Sequence, residues 1–497
     1  MSDSLNVLIA SAEMVPFAKT GGLADVTGAL PKALARLGHD VRVVLPRYGR
    51  IDPARFAMTE VVPAFPVPMN GHTEPVSILE TDVVPGVKVY FVNSDTFFTN
   101  RENIYGYPDD GERFVLYCRA AMEMLRRLNW VPDVVHCNDW HTGIIPNWLK
   151  TIYRDDPMFA NTASAFTVHN LQYQGLFGWR ILEVAGIDEY GFLLHPQIGE
   201  LADVVDLMAR GLHFSDVINT VSERYAQEIL TPEFGEKLDP LLNDRRDRLF
   251  GILNGVDYDE INPATDRHIA QNFDADHLAD RLANKLALQS EAGLTEGAEI
   301  PLIGMVSRMV DQKGFDILAG CFDAMMECTD AQFVLLGTGD QHYHNVFQQF
   351  TQRDPGRVAI YLTFNAALAQ KIYAGSDMFM MPSRFEPCGL GQLISLRYGC
   401  IPIVRHTGGL ADTIQDFNPR TRTGNGFSFE RYNQTDLFTA IIRAVENFKY
   451  PTTWQSLQDR GMRADYSWTA SARRYVELYR KALAFHRESV GAPAATD

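Results

Sequence analysis

The alternation of short apolar runs with amphipathic segments predicts an α/β protein. "NVLIA" at 6–10 is an apolar run of the kind found in strands buried on both faces of a parallel sheet. Apolar residues then recur every three or four positions across 23–34, which is the spacing of an amphipathic helix. Gly38 ends that helix, and "VRVVLP" at 41–46 begins the next strand. The order strand, glycine loop, helix, strand predicts a βαβ unit.

The same alternation runs through the chain twice. Strand candidates of the first series continue at 87–93, 134–139, 165–170 and 216–222. Those of the second series lie at 301–308, 332–339, 377–383 and 401–406. The polar, turn-rich segment 254–266 between the two series suits an interdomain hinge. We therefore predict two doubly wound, Rossmann-like α/β domains that face a cleft, at 1–255 and 256–470, and a C-terminal helix within 471–497 that crosses back to the first domain.

Composition narrows the classes of function. The chain has 497 residues, and its 45 Lys and Arg against 62 Asp and Glu give a net charge of −17. This balance speaks against general binding to nucleic acid or to an anionic membrane, so an anionic ligand requires a local cluster of cations. The six cysteines form no C-x-x-C pair, which favours reduced thiols, and the N-terminal apolar run is too short to span a membrane or direct export. We expect a cytoplasmic protein.

Polar residues follow the predicted strands, where ligands bind in doubly wound sheets. In the first series these residues are Lys19, Asp139, Trp140, His141, His169 and Asn170. In the second series, Arg308 and Lys313 follow one strand, and Glu386 follows another. Two cations five residues apart before a helix suit a phosphate or diphosphate, although exposed arginines and lysines are more often simply solvated. From these residues alone, both interpretations stay open.

Seven motifs in a fixed order resemble a known enzyme family. They are "KTGGLADV", "HCNDWHTG", "FTVHN", "NGVD", "SRMVDQKG", "SRFEPCGLGQ" and "RHTGGLADT". Together they resemble bacterial glycogen synthases and plant starch synthases, the ADP-glucose-dependent retaining glucosyltransferases of the GT-B fold. The resemblance runs from the first strand to "YSWTASARRYVELY" at 466–479. It implies transfer of glucose from ADP-glucose to the non-reducing end of an α-1,4-glucan in glycogen biosynthesis, with retention of configuration and release of ADP.

The resemblance also implies roles for single residues. The implied catalytic residues are His169, Lys19, Arg308, Lys313, Glu386 and Asp139. The implied donor-binding residues are Lys19, Gly21, Gly22, Asn254, Arg308, Lys313, Glu386, Cys388, Gly389, Leu390, Thr407 and Gly408. "TGGLAD" occurs twice, and we expect the first copy to serve chemistry and the second to bind diphosphate or ribose. Glycine in such a turn lets backbone approach a ligand closely.

Two questions of mechanism stay open at this stage. Glu386 is either a carboxylate nucleophile in a double displacement or a group that holds glucose hydroxyls while the acceptor attacks, and we favour the second. Fixed cations can stabilise the departing ADP, and a metal could do the same. "DYD" at 257–259, and His136 and His141 with Asp139, could be imagined as metal ligands, but structural roles are favoured. We expect no metal and no other cofactor.

Aromatic residues are the candidates for acceptor binding because their flat faces suit sugar rings. The predicted acceptor residues are Tyr105, Trp140, His141 and Tyr173. Tyr and Trp are more often core residues, and only the polar surroundings of these four favour loops. The chain departs from the family pattern at Gly391, where threonine is usual, and at His406, where arginine is usual. Both positions lie near the predicted donor pocket.

Two other classes of function fit parts of the sequence, a nicotinamide-dependent oxidoreductase and a non-catalytic sugar-binding or regulatory protein. "GTGDQH" after a strand begins like a dinucleotide-binding motif, but His342 stands where the third glycine is required. A non-catalytic sugar-binding protein on the same fold is compatible with the fold alone. The joint presence of Lys19, His169, Arg308, Lys313 and Glu386 favours an enzyme.

Overall fold

The computed structural model describes residues 4–187 and 204–491. The chain divides into two compact units, of which unit 2 is Val256–Ser467 and unit 1 comprises the residues before and after it. Residues 492–497, the end of the segment assigned to the C-terminal helix, lie outside the described residues. Within the described ranges, no helix is long and apolar enough to cross a membrane.

Unit 1 contains both strands and helices. Its strands are β1 (Asn6–Ala10), β2 (Asp40–Pro46), β3 (Thr59–Met69), β4 (His72–Thr81), β5 (Lys88–Asn93), β6 (Val134–Asn138), β7 (Ala163–Val168), β8 (Leu176–Gly178), β9 (Val204–Asp206), β10 (Val217–Thr220) and β11 (Leu249–Gly251). Its helices are α1 (Gly22–Arg36), α2 (Asp110–Leu128), α3 (Ile144–Lys150), α4 (Arg180–Ala185), α5 (Leu207–Phe214), α6 (Glu223–Glu228), α7 (Asp239–Asp244) and, at the C-terminus, α16 (Trp468–Gly491).

The main sheet of unit 1 has the order β11-β10-β7-β6-β1-β2-β5-β4-β3. It is parallel from β11 to β5, and β4 and β3 add an antiparallel hairpin. The first strand in the chain, β1, pairs with β2 on one side and with β6 on the other. The direction of winding reverses between β1 and β6, and this switch point is where doubly wound folds bind ligands, beyond the carboxyl ends of the strands.

Helix α16 is part of the core of unit 1. Its Tyr475 and Tyr479 are fully buried. The Tyr479 hydroxyl lies 2.9 Å from Nδ1 of His136 on β6, and Asn219 on β10 donates a hydrogen bond to the Tyr475 hydroxyl at 3.1 Å. Helix α16 is therefore packed on the main sheet of unit 1.

Unit 2 repeats the α/β plan with a smaller sheet. Its strands are β12 (Leu302–Val306), β13 (Gln332–Leu336), β14 (Val358–Tyr361), β15 (Met378–Met381), β16 (Ile401–Arg405) and β17 (Phe427–Phe429). Its helices are α8 (Arg281–Glu291), α9 (Phe315–Cys328), α10 (Gln341–Arg353), α11 (Ala366–Gly375), α12 (Gly391–Arg397), α13 (Gly408–Thr413), α14 (Gln434–Phe448) and α15 (Pro451–Arg463). The sheet order is β14-β13-β12-β15-β16-β17. All its pairs are parallel, and the switch point lies between β12 and β15.

The predicted fold class, two doubly wound α/β domains, is confirmed for each unit. The antiparallel hairpin β3–β4 was missed by the sequence analysis. Three prolines interrupt β3, at Pro63, Pro66 and Pro68, and its exposed positions alternate with buried ones. Proline is tolerated there because β3 is the edge strand of its sheet.

Candidate active site

The loop between β1 and α1 is held in place by one buried carboxylate. Glu13, which is 4% exposed, accepts hydrogen bonds from the backbone N–H groups of Thr20 and Gly21 through Oε2. Its other oxygen accepts a hydrogen bond from the Tyr105 hydroxyl at 2.6 Å. Glu13 therefore fixes the backbone of the "KTGG" turn at the switch point of the first sheet.

The cation of this loop, Lys19, is half-exposed. Its Nζ lies 2.6 Å from Oδ1 of Asp25, on the first turn of α1. A Cβ added at Gly21 or Gly22 would meet no atom within 4 Å, so packing within the protein does not require glycine at either position. This open space beside Lys19 suits the close approach of a ligand to the backbone.

Asp139 and His169 lie next to each other after β6 and β7. Asp139 has a φ of 55°, and its Oδ1 accepts a hydrogen bond from the His169 backbone N–H at 2.8 Å. A non-glycine residue with positive φ is uncommon, and such residues concentrate at functional sites. Burial, supported by the charge of Glu13, raises the pKa of Asp139 to about 7. Asp139 can therefore change its charge near neutral pH.

His169 is neutral and oriented. Desolvation by burial lowers the pKa of His169 to about 3. Its Nε2 lies 2.9 Å from Oδ1 of Asn138, whose amide nitrogen donates to the carbonyl oxygen of Ala10. Because that bond fixes which end of Asn138 is the oxygen, Nε2 of His169 carries the proton and donates. The other ring nitrogen, Nδ1, is left as an acceptor.

The structure corrects two of the four predicted acceptor residues. Trp140 and His141 are 9% and 7% exposed, and their rings pack on each other with centroids 4.0 Å apart. Phe114 closes against both rings, so neither offers an open face to a sugar. Tyr173 is 56% exposed and has a free face.

Tyr105 differs from Trp140 and His141 in that its hydroxyl makes a side-chain hydrogen bond, to Glu13. It is partly buried, with its ring stacked on His141 at 4.9 Å and its hydroxyl bound to Glu13. Of the four predicted acceptor residues, Tyr105 and Tyr173 thus keep accessible surface in the structure.

Of the two histidines considered as metal ligands, His136 has other partners, whereas Nδ1 of His141 is buried without a hydrogen-bond partner among the described residues. His136 is fully buried between the Tyr479 hydroxyl and the Thr167 hydroxyl, at 2.9 and 2.7 Å. Burial lowers the pKa of His136 and of His141 to about 3 in each case. Among residues 4–187 and 204–491, no three His, Cys, Asp or Glu side chains are grouped as metal ligands would be.

In unit 2, an ion pair lies at the switch point of the sheet. Nζ of Lys313 is 2.6 Å from Oε2 of Glu386, whose side chain is 8% exposed. Ser383 donates a second hydrogen bond to the same oxygen at 3.0 Å. Arg308, at the end of β12, is exposed, and its guanidinium makes no hydrogen bond or ion pair with any described residue. Of the two predicted cations, Lys313 is thus paired with Glu386, and Arg308 is exposed to a ligand.

Glycines of the second "TGGLAD" copy pack against the loop that carries Glu386. A Cβ at Gly408, which has a φ of +44°, would overlap the carbonyl oxygen of Glu386, and one at Gly409 would overlap that of Cys388. The Gly409 N–H donates to the carbonyl oxygen of Glu386 at 3.1 Å. Thr407 is 1% exposed. In the structure this copy supports the Glu386 loop, whereas the first copy leaves open space.

The remaining predicted donor residues are three that directly follow the Glu386 loop and Asn254 in unit 1. Cys388 is 5% exposed, Gly389 has a φ of +74°, and Leu390 precedes the first residue of α12. Asn254, near the end of the first segment of unit 1, is 7% exposed, and its Oδ1 is buried without a hydrogen-bond partner among the described residues. An unpaired buried acceptor of this kind is costly unless a ligand supplies the donor.

Two further residues at the carboxyl edges of the sheets were not named by the sequence analysis. Glu13 carries no motif signal, because its role depends on a loop that folds back to it. Phe364 lies between β14 and α11, at the carboxyl edge of the second sheet, and is 86% exposed. A large aromatic side chain left in solvent at a ligand-binding edge could have been noticed from its position after a strand.

Packing explains why residue 391 is glycine rather than the threonine that is usual in the family. A Cβ there would lie 2.9 Å from the Phe379 ring and 3.1 Å from the Met381 sulfur. His406, the other departure from the family pattern, donates its backbone N–H to the carbonyl oxygen of Phe429 at 2.8 Å.

Comparison with protein families gives two matches along the chain. Residues 6–244 match the family described as starch synthase catalytic domain, and residues 300–447 match glycosyl transferases group 1. Among solved structures, the catalytic domain of starch synthase IV from Arabidopsis thaliana, bound to ADP and acarbose, is similar with a TM-score of 0.88 and 35% identity. The structural alignment covers 97% of this chain and 100% of the starch synthase chain.

Curated relatives extend the match over the whole length. A glycogen synthase of Moorella thermoacetica is 47% identical over 494 residues, 99% of both chains. A glycogen synthase of Thermotoga maritima is 44% identical over 487 residues, covering 97% of this chain and 99% of that one. Sucrose-phosphate synthase from Thermosynechococcus elongatus, at 16% identity and a TM-score of 0.59, shares the fold. The chain belongs to the glycogen synthase and starch synthase family of glycosyltransferases, with the GT-B fold.

Proposed function

We propose that this enzyme transfers glucose from ADP-glucose to the non-reducing end of an α-1,4-glucan, with retention of configuration and release of ADP. The observation that carries the proposal is the group at the switch point of the second sheet, where Lys313 is paired with Glu386 and Arg308 stands free in solvent. Cleavage of the bond between glucose C1 and phosphate places negative charge on the departing ADP. Fixed cations aimed at that charge lower the barrier.

Each set of residues has a proposed task. Arg308 and Lys313 bind the diphosphate, and Phe364 offers its exposed face to the purine. In unit 1, Lys19 and the open backbone at Gly21 and Gly22 approach the donor. The cations of the chain meet the charge of the leaving group, and we propose that no divalent metal is required.

Glu386 is proposed to hold glucose hydroxyls rather than to attack C1. Its Oε2 already accepts from Lys313 and Ser383, which lowers the nucleophilicity of the carboxylate. Oε1 has no hydrogen-bond partner among the described residues and can accept from a hydroxyl group. In unit 1, Nδ1 of His169 and the unpaired Oδ1 of Asn254 can likewise accept hydrogen bonds from hydroxyl groups.

The acceptor is proposed to be an α-1,4-glucan that contacts Tyr105 and Tyr173. Both aromatic residues keep accessible surface, and the glucan follows from family membership. The cytoplasmic location expected from the sequence remains a prediction.

The test is incorporation of label from ADP-[14C]glucose or UDP-[14C]glucose into glycogen, with and without EDTA. We expect incorporation from ADP-glucose that EDTA does not reduce. Incorporation only from UDP-glucose would refute the proposed donor, and loss in EDTA would refute only the metal-free step. No incorporation from either donor would refute the transferase function.

A further inference from the structure

A second cation-lined cavity lies in unit 1, away from the candidate active site. Its volume is about 410 Å3, within the usual size range of small-molecule sites. The lining residues are Lys150, His213, Phe214, Ser215, Asp216, Arg245, Asp247, Arg248 and Ser489. Ser215 and Asp216 immediately precede β10, and Arg248 immediately precedes β11. The cavity is therefore at the amino ends of these strands, whereas Lys19, Asp139 and His169 follow the carboxyl ends of theirs.

The cavity has more positive than negative charge in a chain whose net charge is −17. Its lining contains three cations, Lys150, Arg245 and Arg248, and two carboxylates, Asp216 and Asp247. Asp216 is already paired with Lys150. Asp216 is 4% exposed, lies 2.5 Å from Nζ of Lys150, and accepts hydrogen bonds from the backbone and hydroxyl of Ser164. Asp216 is therefore paired with Lys150, and its charge acts on Arg245 as well.

The two arginines of the cavity are weakly compensated, Arg245 by no ion pair among the described residues and Arg248 by one exposed carboxylate. Arg245 donates only to backbone carbonyl oxygens, those of His213 and Ser215, and has no ion pair with any described residue. Burial and the neighbouring charge of Arg248 lower the pKa of Arg245. Arg248 lies over the Phe485 ring at 3.6 Å, and its partner Asp247 is largely exposed. An anion between the two arginines would relieve their repulsion.

An unpaired hydroxyl adds a second observation. Ser215, in the wall of the cavity, is 2% exposed, and its Oγ has no hydrogen-bond partner among the described residues. Buried hydroxyl groups are normally paired, so this one is a candidate for a ligand contact. Arginine guanidinium groups match the geometry of phosphate oxygens, which favours phosphate over a monovalent anion.

We propose that this cavity binds a phosphate group, either free phosphate or the monoester of a small sugar. Ser489 and Phe485 belong to α16, so the ligand would join the C-terminal helix to the segments before β10 and β11. Binding stabilises the folded protein by mass action. The inference does not depend on the proposed function, because none of the residues assigned to transfer lines the cavity.

The experiment is calorimetric titration of the full chain with inorganic phosphate and with glucose 1-phosphate, at constant ionic strength and with ADP present to occupy the donor site. The variant is Arg248→Gln. The matched control is Arg246→Gln, which removes the same charge two residues away, from a residue that borders a different cavity. Thermal melting without phosphate verifies that both variants fold.

We expect saturable binding to the wild type, weakened about tenfold or more by Arg248→Gln, because hydrogen bonds to charged groups are among the stronger ones. Arg246→Gln should bind within about twofold of the wild type. Tighter binding of glucose 1-phosphate would identify an ester as the ligand, and equal binding would identify free phosphate. Equal loss in both variants, no loss in Arg248→Gln, or no saturable binding up to about 10 mM would overturn the proposal.

Discussion

Replacement of Arg308 by alanine separates catalysis from stability. The guanidinium is exposed and makes no hydrogen bond or ion pair with any described residue, so its removal should change the free energy of unfolding by no more than about 0.5 kcal/mol. If Arg308 stabilises the departing diphosphate, its loss removes about 3–4 kcal/mol of transition-state stabilisation, and kcat should fall about 100- to 1000-fold. The assay is the initial rate of ADP release with glycogen as acceptor, together with thermal melting.

Lys313→Ala provides the contrast to Arg308→Ala, because Lys313 forms an ion pair with Glu386. Removal of Lys313 leaves the Glu386 carboxylate, 8% exposed, without its cation, so stability and rate should both fall. Arg353→Ala is the matched control, since it removes an exposed arginine of unit 2 that pairs with Asp323. An Arg308→Ala enzyme with more than about a third of the wild-type kcat, or an Arg353→Ala enzyme equally impaired, would refute the reasoning.

Three further predictions concern other parts of the sites. Gly408→Ala should lower activity and melting temperature together, because its Cβ would overlap the Glu386 carbonyl. Gly22→Ala should lower kcat/KM and leave the melting temperature unchanged. Equal melting temperatures of the two variants would contradict this prediction. Phe364→Ala should raise the KM for ADP-glucose several-fold, about 1 kcal/mol, with no change in melting because the ring is 86% exposed; an unchanged KM would remove Phe364 from the donor site. The pKa of Asp139 is raised from 3.8 to about 7, so the native state holds a proton that the unfolded state has released between these values. Relative to Asp139→Asn, wild-type stability in urea should therefore fall by up to about 1.4 kcal/mol per pH unit as the pH rises through this window, and a pH-independent difference would contradict the raised pKa.

The fold could be predicted because strands buried in a parallel sheet have short, continuous apolar sequences. The strand β6 is "VVHCN", and all of its residues are buried, including His136. The same logic located Asp139, His169, Arg308 and Glu386, since each follows such a run. The hairpin β3–β4 was missed because an edge strand tolerates proline and alternates exposed with buried positions.

The parts of the sites that were missed depend on contacts distant in sequence. The link from Glu13 to Tyr105 spans 92 residues, and nothing local to either residue predicts it. Trp140 was expected to offer a face to the acceptor, but Phe114 and Phe177 cover it. The two "TGGLAD" copies are identical in sequence, yet a Cβ at Gly408 or Gly409 would meet the Glu386 loop, whereas one at Gly21 or Gly22 would meet no described atom within 4 Å.

The most direct test of the central claim is a proton NMR experiment on the purified protein with ADP-glucose and a maltooligosaccharide. We predict that an α-anomeric signal of a new 1,4-linkage grows in step with the release of ADP. Formation of a β-linkage, or release of ADP without growth of the glucan, would contradict the account.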